Sequence, residues 1–99
     1  MRILIVEDEA PLREATAERL AEEGYRVVQA GTGEAALEQL AEFAFDVVLT
    51  DLRLPGVDGT KVLAAALDRY PDIVGIVVTG FGTIRDGVDA IKQGAAEFI

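Results

Sequence analysis

The chain has 99 residues, of which 51% are hydrophobic and 27% charged, a composition that indicates one folded globular domain. Eighteen acidic residues against nine basic residues give a formal net charge of −9, which disfavours direct contact with nucleic acid. Histidine and cysteine are absent, so the sequence excludes imidazole catalysis, histidine-ligated zinc and a disulfide framework. No apolar run approaches the roughly 20 residues that span a bilayer, and no secretion signal is visible, so we expect a cytoplasmic protein without membrane contact.

Short apolar runs alternate with amphipathic stretches along the chain. In chain order the predicted elements are a strand at 3–6, a helix near 11–23, a strand at 25–29, a helix near 33–43, a strand at 46–50, a helix near 60–70, a strand at 73–78, a helix near 83–93 and the opening of a strand at 95–99. Strands that alternate with helices of this length indicate right-handed crossovers and a mostly parallel sheet. We therefore predict an α/β fold with a doubly wound parallel sheet, whose near-continuous apolar strands have both faces covered.

Local signals mark the ends and faces of the helices. Pro11 suits the first turn of a helix, and Gly24 suits the position just after a helix end. One face of the first helix carries side chains that recur every four residues, namely Leu12, Thr16 and Leu20. On the second helix, Glu34 is expected to point outward.

The last residues, 95–99, have the pattern of a further strand without a following helix to cover it. An uncovered strand edge promotes association with other chains. We therefore expect this chain to be a shortened piece of a longer protein, and we expect it to form a homodimer or a segment-swapped oligomer.

Polar residues follow three of the predicted strands at the point where each strand ends. Glu7 and Asp8 follow the first strand, Asp51 follows the third and Thr79 follows the fourth. Ligands of open parallel sheets bind outside the carboxyl ends of the strands, so we expect these side chains to lie close together. Two carboxylates about 5 Å apart repel by roughly 3 kcal/mol at an effective dielectric constant near 20, and a third makes a bound cation favourable. Because oxygen ligands suit Mg²⁺, the sequence predicts a magnesium site here, whereas Glu9 is assigned to the start of the next helix.

Asp51 precedes a loop with strong turn signals, residues 52–59, which then starts a helix. Such a loop can hold backbone carbonyls near Asp51 in a fixed curve. An aspartate after a strand is also a common turn former or helix cap, and residue type alone leaves that alternative open. The hydroxyl of Thr79 could donate a hydrogen bond to an anion in the acidic pocket, and the neighbouring Gly80 and Gly82 would let its loop move.

Four motifs occur in order along the whole chain: Glu7-Asp8, Asp51-Leu-Arg-Leu-Pro-Gly-Val-Asp-Gly59, Thr79-Gly80 and Gly94-Ala-Ala-Glu-Phe-Ile99. Together they resemble the receiver domain of bacterial two-component response regulators. The runs at 79–83 and 90–96 are most similar to receivers of the nitrogen-regulator type of transcriptional activator. The resemblance implies a flavodoxin-like (βα)5 receiver fold lacking its final helix, with one receiver domain over residues 1–99.

By this resemblance, Asp51 is the phosphoacceptor, which takes a phosphoryl group from a sensor histidine kinase. The implied Mg²⁺ ligands are Glu7, Asp8, Asp51 and the backbone carbonyl of Arg53. Thr79 is the implied switch hydroxyl, and Phe98 is the aromatic residue whose rotamer follows it. Phosphorylation would then bias a two-state element and control a downstream transcriptional output.

Two features depart from the family pattern. The acidic pair is Glu-Asp where many relatives have Asp-Asp, although glutamate is also an oxygen ligand. The family's Lys-Pro pair, whose lysine contacts the phosphoryl oxygens, is expected shortly after Ile99, and Lys92 on the preceding predicted helix does not match it. No catalytic lysine is therefore assigned in this chain.

Two other classes of function stay open at this point. One is a phosphohydrolase with an aspartate nucleophile and Mg²⁺, but that class usually has a second acid two residues after the nucleophile, where this chain has Arg53. The other is a binding module that keeps the receiver shape and signals by protein contact without phosphorylation. Glu7, Asp8, Asp51 and Thr79 favour phosphorylation over this alternative.

Overall fold

The computed structural model describes residues 1–77 and 97–98. In that part of the chain the elements are β1 Arg2–Val6, α1 Ala10–Glu22, β2 Arg26–Ala30, α2 Gly33–Glu42, β3 Val47–Thr50, α3 Gly59–Arg69, β4 Val74–Val77 and β5 Glu97–Phe98. The strands form one parallel sheet in the order β2-β1-β3-β4-β5. The predicted doubly wound α/β fold is confirmed, and the ends of the first seven elements lie within one residue of their predicted positions. The helix predicted near 83–93 lies outside the described residues.

The helices begin and end where the local chemistry changes. Pro11 occupies the first turn of α1, and Gly24 follows that helix with a φ of 94°, a left-handed value that glycine adopts at low cost. Thr32 caps α2 by accepting a hydrogen bond from the Ala35 N–H at 3.0 Å. Asp58 caps α3 by accepting hydrogen bonds from the Thr60 and Lys61 N–H groups. The hydrogen bond from the Thr60 hydroxyl, followed by these backbone bonds, holds the pKa of the Asp58 carboxyl below its usual value.

The main core lies between the sheet and the helices α2 and α3. Its strand residues alternate along β1, β3 and β4, and its helix residues lie on the inward faces of α2 and α3. The largest fully buried apolar side chains of this core are Leu4, Val6, Val48, Val62, Leu63 and Val77. Each such side chain stabilises the fold by about 1.5–3 kcal/mol when it leaves water.

The opposite face of the sheet is less completely covered than predicted. Ala17 of α1 packs on Ile3 and Ile5, and the small side chain lets the helix approach the sheet closely. Leu12 is 52% exposed and Val74 is 44% exposed, so the expectation that both faces of β4 are covered is wrong at Val74. Of the described helices, α1 packs on β1 and β2 on this face of the sheet.

The strand order places the ends of β1 and β3 side by side. Val6 pairs with Thr50 in the parallel register, and the Asp51 N–H donates to the Val6 carbonyl at 3.0 Å. On the other side of β1, the Glu7 N–H donates to the Ala30 carbonyl at 3.1 Å. The winding of the sheet reverses between β1 and β3, because α1 covers one face while α2 and α3 cover the other. This is the place where open α/β sheets bind ligands.

Among the described residues, no helix has the length and apolar character needed to cross a membrane.

Candidate functional site

Three carboxylates meet at the carboxyl ends of β1 and β3. Glu7, Asp8 and Asp51 each offer an oxygen, and these oxygens all lie within 4.8 Å of one another. They come from segments more than forty residues apart in the sequence, which the parallel pairing of β1 and β3 brings together. The predicted convergence of these three carboxylates is therefore present in the structure, and a single small cation could contact all three groups.

The three acids have different environments. Glu7 is buried, with 9% of its surface exposed, whereas Asp8 is exposed and Asp51 is half-buried. Burial, the hydrogen bond with Asp51 and the charges of Asp51 and Asp8 together raise the pKa of the Glu7 carboxyl to about 7, and burial is the largest of these causes. The backbone N–H of Glu9 acts against this shift by donating to the Glu7 carboxylate. Without a cation, Glu7 therefore retains a proton up to neutral pH.

An apolar cavity beside the acids explains part of this desolvation. The cavity has a volume of about 80 Å³ and runs between α1 and the sheet, where Leu12, Thr16 and Leu49 line it together with Glu7 and Asp51. Apolar walls on one side of a carboxylate replace water that would otherwise stabilise its charge. The charged form of Glu7 consequently needs a partner with positive charge.

The backbone around Asp51 is tightly constrained. The Arg53 N–H donates to Asp51 Oδ1 at 3.0 Å, and the Thr50 hydroxyl donates to the Asp51 carbonyl at 2.9 Å. Gly59 packs against the same carbonyl, since a Cβ added there would lie 2.0 Å from the Asp51 oxygen. These contacts fix the direction in which the Asp51 carboxylate leaves the strand.

The loop between β3 and α3 is anchored by alternate residues. Leu52 and Leu54 are buried in the core, while Arg53 between them is exposed. The Gly59 N–H donates to the Leu52 carbonyl at 3.0 Å, which closes the loop onto the start of α3. Arg53, whose carbonyl is the predicted fourth oxygen ligand, thus lies on a short segment held at both ends.

Glu34 holds the far side of this loop. Its Oε1 accepts a hydrogen bond from the Val57 N–H at 2.9 Å, although the side chain is exposed as the sequence predicted. Gly56 beside it has a φ of 73°, and a Cβ there would lie 2.8 Å from Glu34 Oε1. Helical spacing alone could not reveal this contact, because the two residues are 23 positions apart.

We expect Glu34→Ala to speed hydrogen exchange of the Val57 amide and to destabilise the fold by about 1 kcal/mol, because the substitution removes the acceptor of that amide. Glu34→Gln keeps an acceptor oxygen and should retain most of the protection. Glu38→Ala, one turn further along the same exposed helix face, is the matched control. Unchanged exchange at Val57 in Glu34→Ala would show that this hydrogen bond does not hold the loop.

The remaining predicted site residues stay predictions. Thr79 lies outside the described residues, as does Lys92. The backbone of Phe98 lies in β5, which pairs in parallel with β4 and places Phe98 opposite Val77.

Comparisons with a family model and with known proteins identify the same family. The model of the response regulator receiver domain family matches residues 3–99. The response regulator protein FleR from Pseudomonas aeruginosa is 38% identical over 98 residues, which covers 99% of this chain and 21% of that protein. A putative NtrX-like response regulator from Rickettsia felis is 37% identical over 99 residues, covering 98% of this chain and 21% of that protein. The chain thus spans about a fifth of the length of these relatives.

A solved structure agrees with the same family. A response regulator from Burkholderia pseudomallei, crystallised with a phosphorylated aspartic acid, a calcium ion and citrate, superposes with a TM-score of 0.93 at 30% identity. The match covers 98% of this chain and 57% of that one. On the sheet order, the clustered acids and these matches, the chain belongs to the response regulator receiver domain family.

Proposed function

We propose that this chain, over residues 1–99, is one receiver domain that accepts a phosphoryl group from a sensor histidine kinase on Asp51 in the presence of Mg²⁺. The observation that carries the proposal is the meeting of Glu7, Asp8 and Asp51 within 4.8 Å at the ends of two neighbouring strands. The phosphorylated aspartic acid and the calcium ion of the Burkholderia pseudomallei protein support the same chemistry.

The donor set suits Mg²⁺. The carboxylates of Glu7, Asp8 and Asp51 and the carbonyl of Arg53 would supply oxygen ligands, which Mg²⁺ prefers in small number beside several waters. The pKa of Glu7 is raised by burial and by the neighbouring Asp51 and Asp8, so its ionised form would be stabilised by a bound cation. When bound, Mg²⁺ supplies positive charge that neutralises the oxygens of the transferred phosphoryl group.

Asp51 acts as the nucleophile in this proposal. A carboxylate oxygen of Asp51 forms a bond to phosphorus as the phosphorus–nitrogen bond of the phosphohistidine breaks, and the electron pair returns to the imidazole nitrogen, which then takes a proton. The hydrogen bond from the Arg53 N–H to Asp51 Oδ1 fixes the plane of the carboxylate for in-line attack. The chain's own contribution is therefore positioning and charge, not acid–base chemistry.

The consequence of phosphorylation is a switch. We assign to Thr79 the donation of a hydrogen bond to a phosphoryl oxygen, and to Phe98 the rotamer change that follows. Phe98 lies on β5, the neighbour of β4. The change would alter a surface that controls a transcriptional output located in another part of a longer protein, as in the FixJ and DctD transcriptional regulators to which the chain is 37% and 34% identical. We propose that the reaction takes place in the cytoplasm, where sensor kinases present their phosphohistidine.

Incubation with acetyl phosphate and Mg²⁺, followed by intact-mass measurement, separates this function from its two rivals. A receiver gains one phosphoryl group per chain and releases no phosphate from small phosphate esters. An aspartate-dependent phosphohydrolase would turn over such esters, whereas a phosphorylation-independent binding module would gain no mass. Either of the last two results would contradict the proposal.

A further inference from the structure

Arg13 connects three segments around the acidic site. It lies in the first turns of α1, and its Nη1 donates to the Glu7 carbonyl at 2.8 Å. Its Nε donates to Gln29 Oε1 on β2 at 3.3 Å. The guanidinium also lies against Gly31, where an added Cβ would be 3.0 Å from Nη1. Arg13 thus fills the corner between α1, the end of β2 and the end of β1.

The peptide groups of Glu7 are held on both sides by these contacts. The Glu7 N–H donates to the Ala30 carbonyl at 3.1 Å, and the Glu7 carbonyl accepts from Arg13 at 2.8 Å. That carbonyl belongs to the peptide bond between Glu7 and Asp8, so its orientation determines where the Asp8 backbone begins. Asp8 itself is exposed, and its carboxylate must nevertheless reach the oxygens of Glu7 and Asp51.

We propose that Arg13 is a positioning residue for the cation site, which holds the Glu7–Asp8 peptide so that both carboxylates face Asp51. The inference rests on the proposed function, since it assigns Arg13 a role in Mg²⁺ binding. Arg13 touches neither cation nor phosphoryl group in this account. It acts through the backbone of the two acidic residues.

The charge of Arg13 and its hydrogen bond to Glu7 should have opposite effects on Mg²⁺ affinity. Arg13 carries a positive charge near the site, so the loss of that charge alone would strengthen Mg²⁺ binding. The loss of its hydrogen bond to Glu7 would weaken Mg²⁺ binding, because the acidic peptide would no longer be preorganised. The sign of the change in Mg²⁺ affinity therefore tells which effect dominates.

The test is a calorimetric Mg²⁺ titration of the full chain at a pH above the pKa of Glu7. We expect Arg13→Met to weaken Mg²⁺ binding by about threefold to tenfold, which is less than the full worth of one hydrogen bond to a charged donor because the bond is lost in the metal-free and the Mg²⁺-bound protein alike. Arg13→Lys keeps the charge but cannot make both contacts at once, so we expect a smaller weakening. Arg19→Met is the matched control, because Arg19 lies on the exposed side of the same helix in an ion pair with Glu23.

A second measurement addresses the contact itself without Mg²⁺. Hydrogen exchange of the Glu7 amide, which donates to the Ala30 carbonyl in the residue whose own carbonyl Arg13 holds, should be faster in Arg13→Met and unchanged in Arg19→Met. Gln29→Ala removes only the hydrogen bond between Arg13 and Gln29. If Arg13→Met does not fold, Gln29→Ala takes its place in the titration, and we expect it to weaken Mg²⁺ binding less than the loss of Arg13 would.

The outcomes separate the two proposals. Mg²⁺ binding by Arg13→Met as tight as or tighter than that of the wild type would overturn the positioning role and leave the proposed function intact. A wild type that binds no Mg²⁺ would overturn both. Weaker binding in Arg13→Met together with unchanged exchange of the Glu7 amide would also overturn the positioning role, because the effect would then not pass through the backbone of Glu7.

Discussion

Asp51→Asn should abolish phosphoryl labelling by acetyl phosphate or a cognate kinase, and it should raise the unfolding temperature of the metal-free protein. The amide has no anionic oxygen to attack phosphorus, so no acyl phosphate can form. The amide oxygen can still accept the hydrogen bond from the Arg53 N–H, which is 3.0 Å long in the wild type. The loss of labelling would therefore not reflect a distorted loop.

The gain in stability follows from the removal of one like charge. At about pH 8, where Glu7 is ionised, carboxylates within 4.8 Å of one another repel, and the removal of one charge should stabilise the metal-free fold by about 1 kcal/mol after solvent screening. For a domain of this size that free energy corresponds to a rise of about 4–8 °C in the unfolding temperature. Millimolar Mg²⁺ should reverse the order of the two proteins, because only the wild type keeps the full ligand set.

Differential scanning calorimetry with and without Mg²⁺ checks the stability change, and autoradiography with labelled phosphoryl donor checks the chemistry. Asp68→Asn, the same substitution on the exposed side of α3, is the control and should change neither quantity. Persistent labelling of Asp51→Asn would show that another residue is the phosphoacceptor. An unchanged unfolding temperature would mean that the three acids do not repel in the metal-free protein.

Mg²⁺ affinity should rise steeply with pH around neutrality, because Glu7 must lose its proton to bind the cation. Burial raises the pKa of Glu7 to about 7. Between about pH 6 and pH 8 the ionised fraction of such a group grows about tenfold, and Mg²⁺ affinity should follow it with release of a proton. Calorimetry in buffers of different ionisation enthalpy measures both the affinity and the proton release.

The metal-free protein should show the opposite trend in stability. The folded state holds the Glu7 proton up to about pH 7, whereas the unfolded chain releases it near the ordinary value of 4.5. The resulting stabilisation is complete below about pH 4.5 and is lost as the pH rises through about 7. Its size is on the order of 1–2 kcal/mol after allowance for solvent around the site.

Glu7→Gln should flatten the stability profile between about pH 4.5 and pH 7 and the Mg²⁺ affinity profile between about pH 6 and pH 8, because the titrating group is gone. Glu38→Gln should leave both profiles unchanged. A wild-type Mg²⁺ affinity that does not vary across this interval would contradict the assignment of Glu7 as a buried ligand.

The sequence predicts the elements well because their ends are set by local chemistry. Pro11 and Gly24 mark the two ends of α1, and Asp58 marks the start of α3. The meeting of Glu7 with Asp51 is also predictable, since it follows from parallel pairing of two strands and needs no knowledge of side-chain packing.

What the sequence does not predict depends on distances between elements. Arg13 reaches the Glu7 carbonyl and Glu34 reaches the Val57 amide through long side chains whose targets are fixed only after the helices pack. The exposure of Leu12 has a similar origin. Helical periodicity identifies the apolar face of α1 but does not tell how much of that face the sheet covers. The retained proton of Glu7 depends on burial depth, which residue type does not reveal.

The central claim is that Asp51 accepts a phosphoryl group at a site completed by Mg²⁺. Reduction of the acetyl phosphate-treated protein with borohydride converts an aspartyl phosphate to homoserine, and tandem mass spectrometry then locates the change in the sequence. We expect homoserine at position 51 alone, formed only when Mg²⁺ is present during phosphorylation. Homoserine at another aspartate, or its formation at position 51 without any divalent cation, would contradict this proposal.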